Sequence, residues 1–377
     1  MVTGARHVAR PFGVPVSASP SPQGSRPAYA VSVIAVGDHH FPRRVRPGRV
    51  GPMKLLMLGG TEFVGRAITE DALERGWEVT VFHRGHHAPP PGTSALHGDR
   101  TLPGGLDSLA EGEWDLVVDT WGGAPTAVRD SARLLAGRAG RYAYVSTRSV
   151  YAYPAPAGPD APLVEGSPDA DSVAYAEDKR GAEIATVDAF GERALLVRAG
   201  LILGPYENVG RLPWWLNRVA RGGPLLAPGR PGLPLQYIDV RDLAHWTLDA
   251  ARAGLGGAYD LISPLGHATM GSLLEACAAA TGVPLDPRWT DQAVIEEAGI
   301  QPWTELPVWI PEGEAHTHMF GGDATRALET GLKCRPVEET AADTWAWLNS
   351  LGGVAPQRSD RPAPGLSAER EAALLGL

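Results

Sequence analysis

The sequence predicts an α/β protein: a doubly wound parallel sheet carrying a smaller, irregular α+β lobe at its C-terminal side. Three observations point there. Between Met53 and Arg198 short apolar runs alternate with stretches of helical spacing. A glycine-bearing turn, Gly59 to Gly65, joins the first run to the first helix. After residue 200 the rhythm loosens into proline-rich loops with isolated helices. Alternation of this kind buries a parallel sheet between two helical layers.

The elements follow in order. Residues 54–58 read as a short buried strand. Residues 64–75 place Val64, Ala67, Ile68, Ala72 and Leu73 on one helical face, and Gly76 stops that helix. Strands follow at 78–83, 115–120, 142–146 and 194–198, with helices at 126–136 and 175–190. A third strand-like segment leads into His97-Gly98-Asp99-Arg100. Two late helices, 270–281 and 337–351, close the lobe. Residues 352–364 read as a linker-like tail, with a last short helix at 367–375.

Length and charge bound the function. A chain of 377 residues buries an ample core without staples, and two cysteines, Cys277 and Cys334, exclude a disulfide framework or a cysteine-rich zinc module. That usage suits a reducing compartment, and the expected location is the cytoplasm. No apolar run approaches a membrane span. The net charge is −9, split unevenly: seven arginines and only Asp38 give residues 1–52 a charge of +6, leaving −15 for the rest. So acidic a body makes a poor ligand for nucleic acid. Residues 1–52, rich in Pro, Gly, Ser and Arg, are expected to be a disordered or mis-called leader, with the folded protein opening at Met53. Residues 53–200 form the expected nucleotide-binding domain, its core elements extending to about 262. Residues 201–351 are mainly substrate lobe with interleaved sheet elements, and 352–377 are tail.

The turn Gly59-Gly60-Thr61-Glu62-Phe63-Val64-Gly65 lies between a strand and a helix, the context that gives such a turn meaning. Its glycines allow a tight turn and close helix packing, and the helix start offers amides to a pyrophosphate. Gly59, Gly60, Thr61, Phe63, Val64 and Gly65 are therefore expected to hold a dinucleotide in a Rossmann-type domain. Glu62 replaces the usual middle glycine and must face solvent. The second strand ends in His83-Arg84 rather than in an acid for the ribose. Arg84 tilts the cofactor from NAD toward NADP, whose 2′-phosphate wants a cation. Asp99 is expected either to touch the adenine or to hold a turn. Trp121, just past a strand end, is expected beside the cofactor.

Strand 142–146 runs into Thr147-Arg148-Ser149-Val150-Tyr151, and Tyr175-Ala176-Glu177-Asp178-Lys179 follows. Positions i and i+4 share a helix face, so Tyr175 and Lys179 project together. A neighbouring ammonium lowers a tyrosine pKa toward useful values.

These features together resemble the extended, atypical short-chain dehydrogenases/reductases, in particular the NAD(P)-dependent epimerase/dehydratase family. The resemblance runs from about Met53 to Leu351. It includes Val197-Arg198 with Gly204-Pro205, the segment 237–244, and Asp323-Ala324-Thr325-Arg326-Ala327 with Gly331-Leu332. It implies hydride chemistry at a carbinol or carbonyl carbon of a small molecule. Tyr175 would be the acid/base, Lys179 the ribose ligand and tyrosine tuner, and Thr147 the partner of the substrate oxygen. A homodimer is left open, and no metal is expected. The sequence also departs from the family. Arg148 and Ser149 stand where 4,6-dehydratases carry Asp-Glu. Leu235 or Gln236 stands where nucleotide-sugar members carry an arginine for the diphosphate, with Arg230 or Arg211 as substitutes. Two alternatives remain: a nucleotide-sugar epimerase, and a non-catalytic nucleotide- or RNA-binding protein on the same fold. Trp214-Trp215 read as pocket lining or packing, and His316-x-His318 as a loop.

Overall fold

Every residue of the first strand after Lys54 is buried, as a strand covered on both faces requires. A computed structural model describes residues 51–377 except 155–157 and 159. The expectations for the leader 1–52 lie, but for its last two residues, outside the described residues. Pro52–Leu377 is one compact unit. Its first part runs β1 (Lys54–Leu58), α1 (Phe63–Glu74), β2 (Glu78–His83), β3 (Ser94–His97), β4 (Trp114–Asp119), α2 (Pro125–Leu135), β5 (Ala139–Thr147), α3 (Tyr175–Phe190) and β6 (Ala194–Ala199). The chain continues with β7 (Leu201–Leu203), α4 (Arg211–Ala220), β8 (Pro224–Pro228), β9 (Pro234–Leu235), β10 (Tyr237–Asp239), α5 (Val240–Arg252), β11 (Gly257–Leu261) and β12 (Ala268–Thr269). It ends with α6 (Met270–Thr281), β13 (Asp286–Thr290), α7 (Gln292–Glu297), α8 (Glu314–Phe320), α9 (Thr325–Glu329), α10 (Val337–Ser350) and α11 (Ala368–Leu375).

The main sheet has seven strands in the order β11-β6-β5-β4-β1-β2-β3, and every neighbouring pair is parallel. Side chains alternate between its faces, because successive residues of a strand point to opposite sides. Leu55 and Met57 join Ile68 and Ala72 of α1 and Leu243 of α5 in one core. Leu56 and Leu58 join Val128 and Leu135 of α2 and Ala182 and Phe190 of α3 in the other. Both faces being buried is why the strands read as near-continuous apolar runs. Among the described residues no helix is long and apolar enough to cross a membrane.

The structure revises the sequence reading in the lobe. His316 and His318 sit on α8 rather than in a loop. His316 donates from Nε2 to the Pro234 carbonyl at 3.0 Å, and its ring packs 5.1 Å from Phe320, an i,i+4 pairing that needs a helical turn. Segment 237–244 contains the start of α5, capped by Asp239, whose side chain accepts the Arg241 N–H at 2.9 Å. The stretch 352–364, linker-like in composition, is fastened across the lobe. Asn217 Nδ2 donates to the Gly353 carbonyl at 2.9 Å, Arg358 N–H to Asn208 at 3.1 Å, and Gly365 N–H to Thr304 at 2.7 Å. Glu371 of α11 is 4% exposed and accepts from Arg218, Arg221 and the Leu226 N–H. Proline and glycine content foretold the lack of regular structure there, not the contacts.

Replacing Glu371 tests that fastening. Glu371→Ala leaves the Arg218 guanidinium buried without its carboxylate, which costs about 3–5 kcal/mol. Denaturant unfolding should show a correspondingly lower midpoint. An unchanged midpoint would mean that the last helix lies outside the cooperative unit.

Candidate active site

In the sheet order, β2 and β4 flank β1 on opposite sides, so the chain leaves the centre in both directions and opens a crevice at the strand ends. Ligands of open α/β sheets bind at such switch points. The turn after β1 occupies this one. Gly59 has φ +92° and Phe63 φ +36°, so a non-glycine residue also holds a left-handed backbone there. At Gly65 a Cβ would stand 2.0 Å from the Gly59 carbonyl oxygen, which only glycine avoids. Glu62 stands at the N-cap without capping α1 through its side chain, leaving the first amides open to an anion. Its exposed carboxylate lies 3.7 Å from His87 Nε2. Gly60, Thr61 and Val64 complete the turn. These residues fit a dinucleotide pyrophosphate: the cradle is backbone, and a side chain would fill it.

Thr147 closes β5 and is 8% exposed, with Oγ1 accepting the Ser149 N–H at 3.2 Å. Tyr175 opens α3 and is 52% exposed, at the mouth of the crevice. One turn on, Lys179 is buried. Its Nζ donates to the carbonyls of Trp121 at 2.6 Å and Val145 at 2.8 Å, and lies 4.7 Å over the Tyr144 ring. Burial pushes the Lys179 ammonium down to about 7, against the pull of the Asp119 and Glu183 carboxylates. Two of its three N–H groups are spent on the carbonyls, and one remains for a ribose hydroxyl.

Two buried charge clusters hold these groups. Arg100 grips Asp119 in a fork at 2.6 and 2.7 Å, Tyr142 donates to Asp119 at 2.6 Å, and Arg100 stacks 4.7 Å from the Trp121 ring. The Trp121 indole donates to Ala124, and its carbonyl also takes the Tyr144 hydroxyl at 2.8 Å. On the other side, Glu183 accepts from Ser146 and from the Arg198 fork, each at 2.8 Å. Arg148 is buried, 3.5 Å from Asp260, and donates to Met319. It faces the fold rather than a substrate.

Arg84 and Asp99 lie at the ends of β2 and β3, away from Tyr175. Arg84 is exposed. Asp99 holds a turn, accepting the Thr101 N–H at 3.0 Å and hydroxyl at 2.6 Å; these bonds, with Arg84 nearby, hold its carboxyl low. Beside them His83 accepts the Gly85 N–H at Nδ1, which puts its own proton on Nε2, a buried donor with no partner among the described residues. Arg230 is a surface group paired with Glu312, and Gln236 is buried, bridging Ser263 and Gly322. Sequence reasoning missed Arg358 of the C-terminal segment, whose N–H bonds the Asn208 carbonyl at 3.1 Å just ahead of α4. Nothing in that Pro- and Arg-containing stretch distinguishes it.

Residues 124–261 match the model of the NAD dependent epimerase/dehydratase family. The chain is 29% identical over 266 residues to a 2-alkyl-3-oxoalkanoate reductase of Stenotrophomonas maltophilia, covering 62% of this chain and 77% of that protein. Among solved structures it resembles the Bordetella bronchiseptica enzyme WbmH in complex with NAD+, with a TM-score of 0.58 and 21% identity over 80% of this chain and all of that one. A putative epimerase from Burkholderia cenocepacia gives a TM-score of 0.61 at 17% identity, covering 79% and 99% of the two chains.

The buried ammonium makes stability depend on pH in a stated direction. Between about 7 and the ordinary 10.5 the unfolded chain keeps the Lys179 proton and the native chain does not. Stability therefore rises with pH across that window, by up to ~1.4 kcal/mol per pH unit. The difference in unfolding free energy between wild type and Lys179→Met should move in favour of wild type from pH 7 to 10. A flat difference would contradict the burial of a titrating amine.

Proposed function

From the match of residues 124–261 to the NAD dependent epimerase/dehydratase family, we propose that the chain interconverts a carbonyl and a carbinol on a small molecule with a nicotinamide cofactor. One observation carries the reading: Lys179, one turn after Tyr175 on α3, donates to the carbonyls of Trp121 and Val145, just past β4 and on the strand that Thr147 closes. A bound nicotinamide would supply or take up the hydride. Tyr175, exposed at the mouth, passes the proton to or from the substrate oxygen. Lys179 stands one turn below, anchored on two carbonyls, to hold the nicotinamide ribose and to place a cation near the phenol. Thr147 orients the same substrate oxygen. The Gly59–Gly65 cradle and Trp121 bound the cofactor along the crevice.

Arg84 favours NADP over NAD, and the unpartnered Nε2–H of His83 offers the adenosine ribose or its phosphate a second donor. Simple reduction is preferred to water elimination, because Arg148 replaces the acid of the dehydratases and is bound to the fold. A UDP-sugar epimerase is the second reading, suggested by the fold likeness to WbmG, solved with NAD and UDP, at a TM-score of 0.53. It is weakened by Leu235 and Gln236, at one of which the family's diphosphate arginine is expected, Gln236 being a structural bridge.

A carbonyl screen followed by NADPH oxidation tests the chemistry. Tyr175→Phe should cut turnover by about 10²–10⁴ while cofactor affinity holds. Lys179→Met should weaken both, and Thr147→Val turnover alone. Wild-type turnover in Tyr175→Phe would refute the mechanism. Fluorescence titration should show NADPH binding more tightly than NADH, a margin that Arg84→Ala narrows. Equal affinities would mean that Arg84 serves only the surface.

A further inference from the structure

Resting on the nicotinamide part of that reading, we propose that Tyr206 is a positioning residue for the cofactor. It pins the first turn of α1, whose amides face the pyrophosphate, and the C-terminal segment fastens the loop that carries it. Tyr206 lies between β7 and α4, half-buried. Its φ is +69°, in the left-handed region that a bulky side chain seldom holds. The same loop uses glycine for such angles at Gly204 (φ +129°) and Gly210 (φ +87°). A tyrosine kept where glycine would rest more easily points to work for the ring. Strained backbone persists only where its surroundings over-determine it, and it gathers at ligand clamps.

The contacts of the ring show what the strain secures. The guanidinium of Arg66, the residue after Gly65, lies 4.5 Å over the Tyr206 ring. Arg66 also reaches Glu70 at 2.8 Å, one turn along α1. Tyr206 meets the Trp347 ring of α10 edge-on at 5.9 Å. One ring therefore ties the start of α1 to α10. Amides already held in place lose less freedom when an anion arrives, so a pinned turn binds more tightly than a loose one. The loop is fastened in its own right. Both Glu207 oxygens accept the backbone N–H groups of Arg211 and Leu212, at 2.7 and 3.1 Å, which fixes its far end to α4. From outside, the Arg358 N–H bonds the Asn208 carbonyl at 3.1 Å, and a Cβ on Gly210 would meet the Gln357 side chain at 2.5 Å. Gln357 and Arg358 lie beyond the residues that match the family model, so this fastening is no part of the matched span. Coupling between two sites is reciprocal. If the fastened loop favours bound cofactor, bound cofactor tightens the fastening.

Fluorescence titration of the full chain with NADPH or NADH, whichever binds wild type more tightly, tests this together with amide hydrogen exchange. Tyr206→Asn removes the ring and leaves a residue that tolerates the left-handed backbone, so the fold should survive. It should weaken the nucleotide by about threefold to tenfold, the worth of a partly desolvated cation–ring contact. Tyr206→Phe keeps the ring and should bind like wild type. Arg66→Met should weaken binding as Tyr206→Asn does, and the double variant no further, because both remove one contact. Exchange in residues 353–366 should slow when the nucleotide is bound. The proposal falls if Tyr206→Asn binds like wild type, if Tyr206→Phe loses as much as Tyr206→Asn, or if the two single losses add. It falls equally if 353–366 exchange at one rate with and without nucleotide. Should the nucleotide bind but no carbonyl compound turn over, the carbonyl–carbinol reading fails alone, and these measurements still decide the role of Tyr206. Should neither nucleotide bind, both fail together.

Discussion

Lys179 donates to the carbonyls of Trp121 and Val145, and those two bonds lock α3 onto the ends of β4 and β5. Three elements that diverge elsewhere are thereby held in one register where the crevice opens. An ammonium withdrawn from water is costly, and acceptors for two of its N–H groups offset part of that cost. The protein supplies them from the backbone, which cannot swing away as a carboxylate would. The Trp121 carbonyl serves Tyr144 as well, and the Asp119–Arg100 fork beneath fixes the strand end that carries it. The placement of Tyr175 follows, since one turn of helix is all that separates it from the lysine.

A second chain of polar contacts braces the far side. Ser146, Glu183, Arg198, Tyr151 and Asp260 are linked in sequence by bonds of 2.8 to 3.2 Å, with Arg148 joining at Asp260. It connects β5, α3, β6 and β11 behind Thr147. Arg148 then has a physical reason to stand where related enzymes place an acid. A carboxylate beside Asp260 would put two like charges in a buried space, and an arginine neutralises one.

Much of this was legible in the chain. Runs such as Lys54–Leu58 and Trp114–Asp119 declare themselves because both their faces are buried, and the glycine turn declares itself by its place between strand and helix. The spacing of Tyr175 and Lys179 announces a shared face. What sequence could not give were contacts made across long separations. Asn208 and Arg358 are far apart in the chain, and only the course of the C-terminal segment brings the Arg358 N–H to the Asn208 carbonyl. Asp99 carried two readings, and its bonds to Thr101 show that it holds a turn. The lobe was the least readable part, because helices such as Arg211–Ala220 are set by caps and by packing of their tryptophans. Trp215 is fully buried and donates to the Pro307 carbonyl.

The course of the C-terminal segment has a bearing on how this protein can be altered. Residues 353–366 belong to no sheet or helix and are fastened at a few points: Gly353, Arg358 and Gly365 along the run, then the Glu371 anchor beyond it. Ala355 and Leu366 are buried, but Pro356, Ser359 and Arg361–Ala363 are exposed and free of the packing demands that constrain the strands. They offer a stretch where a combinatorial library can be written with the scaffold left whole, as antibody loops are diversified on a fixed framework.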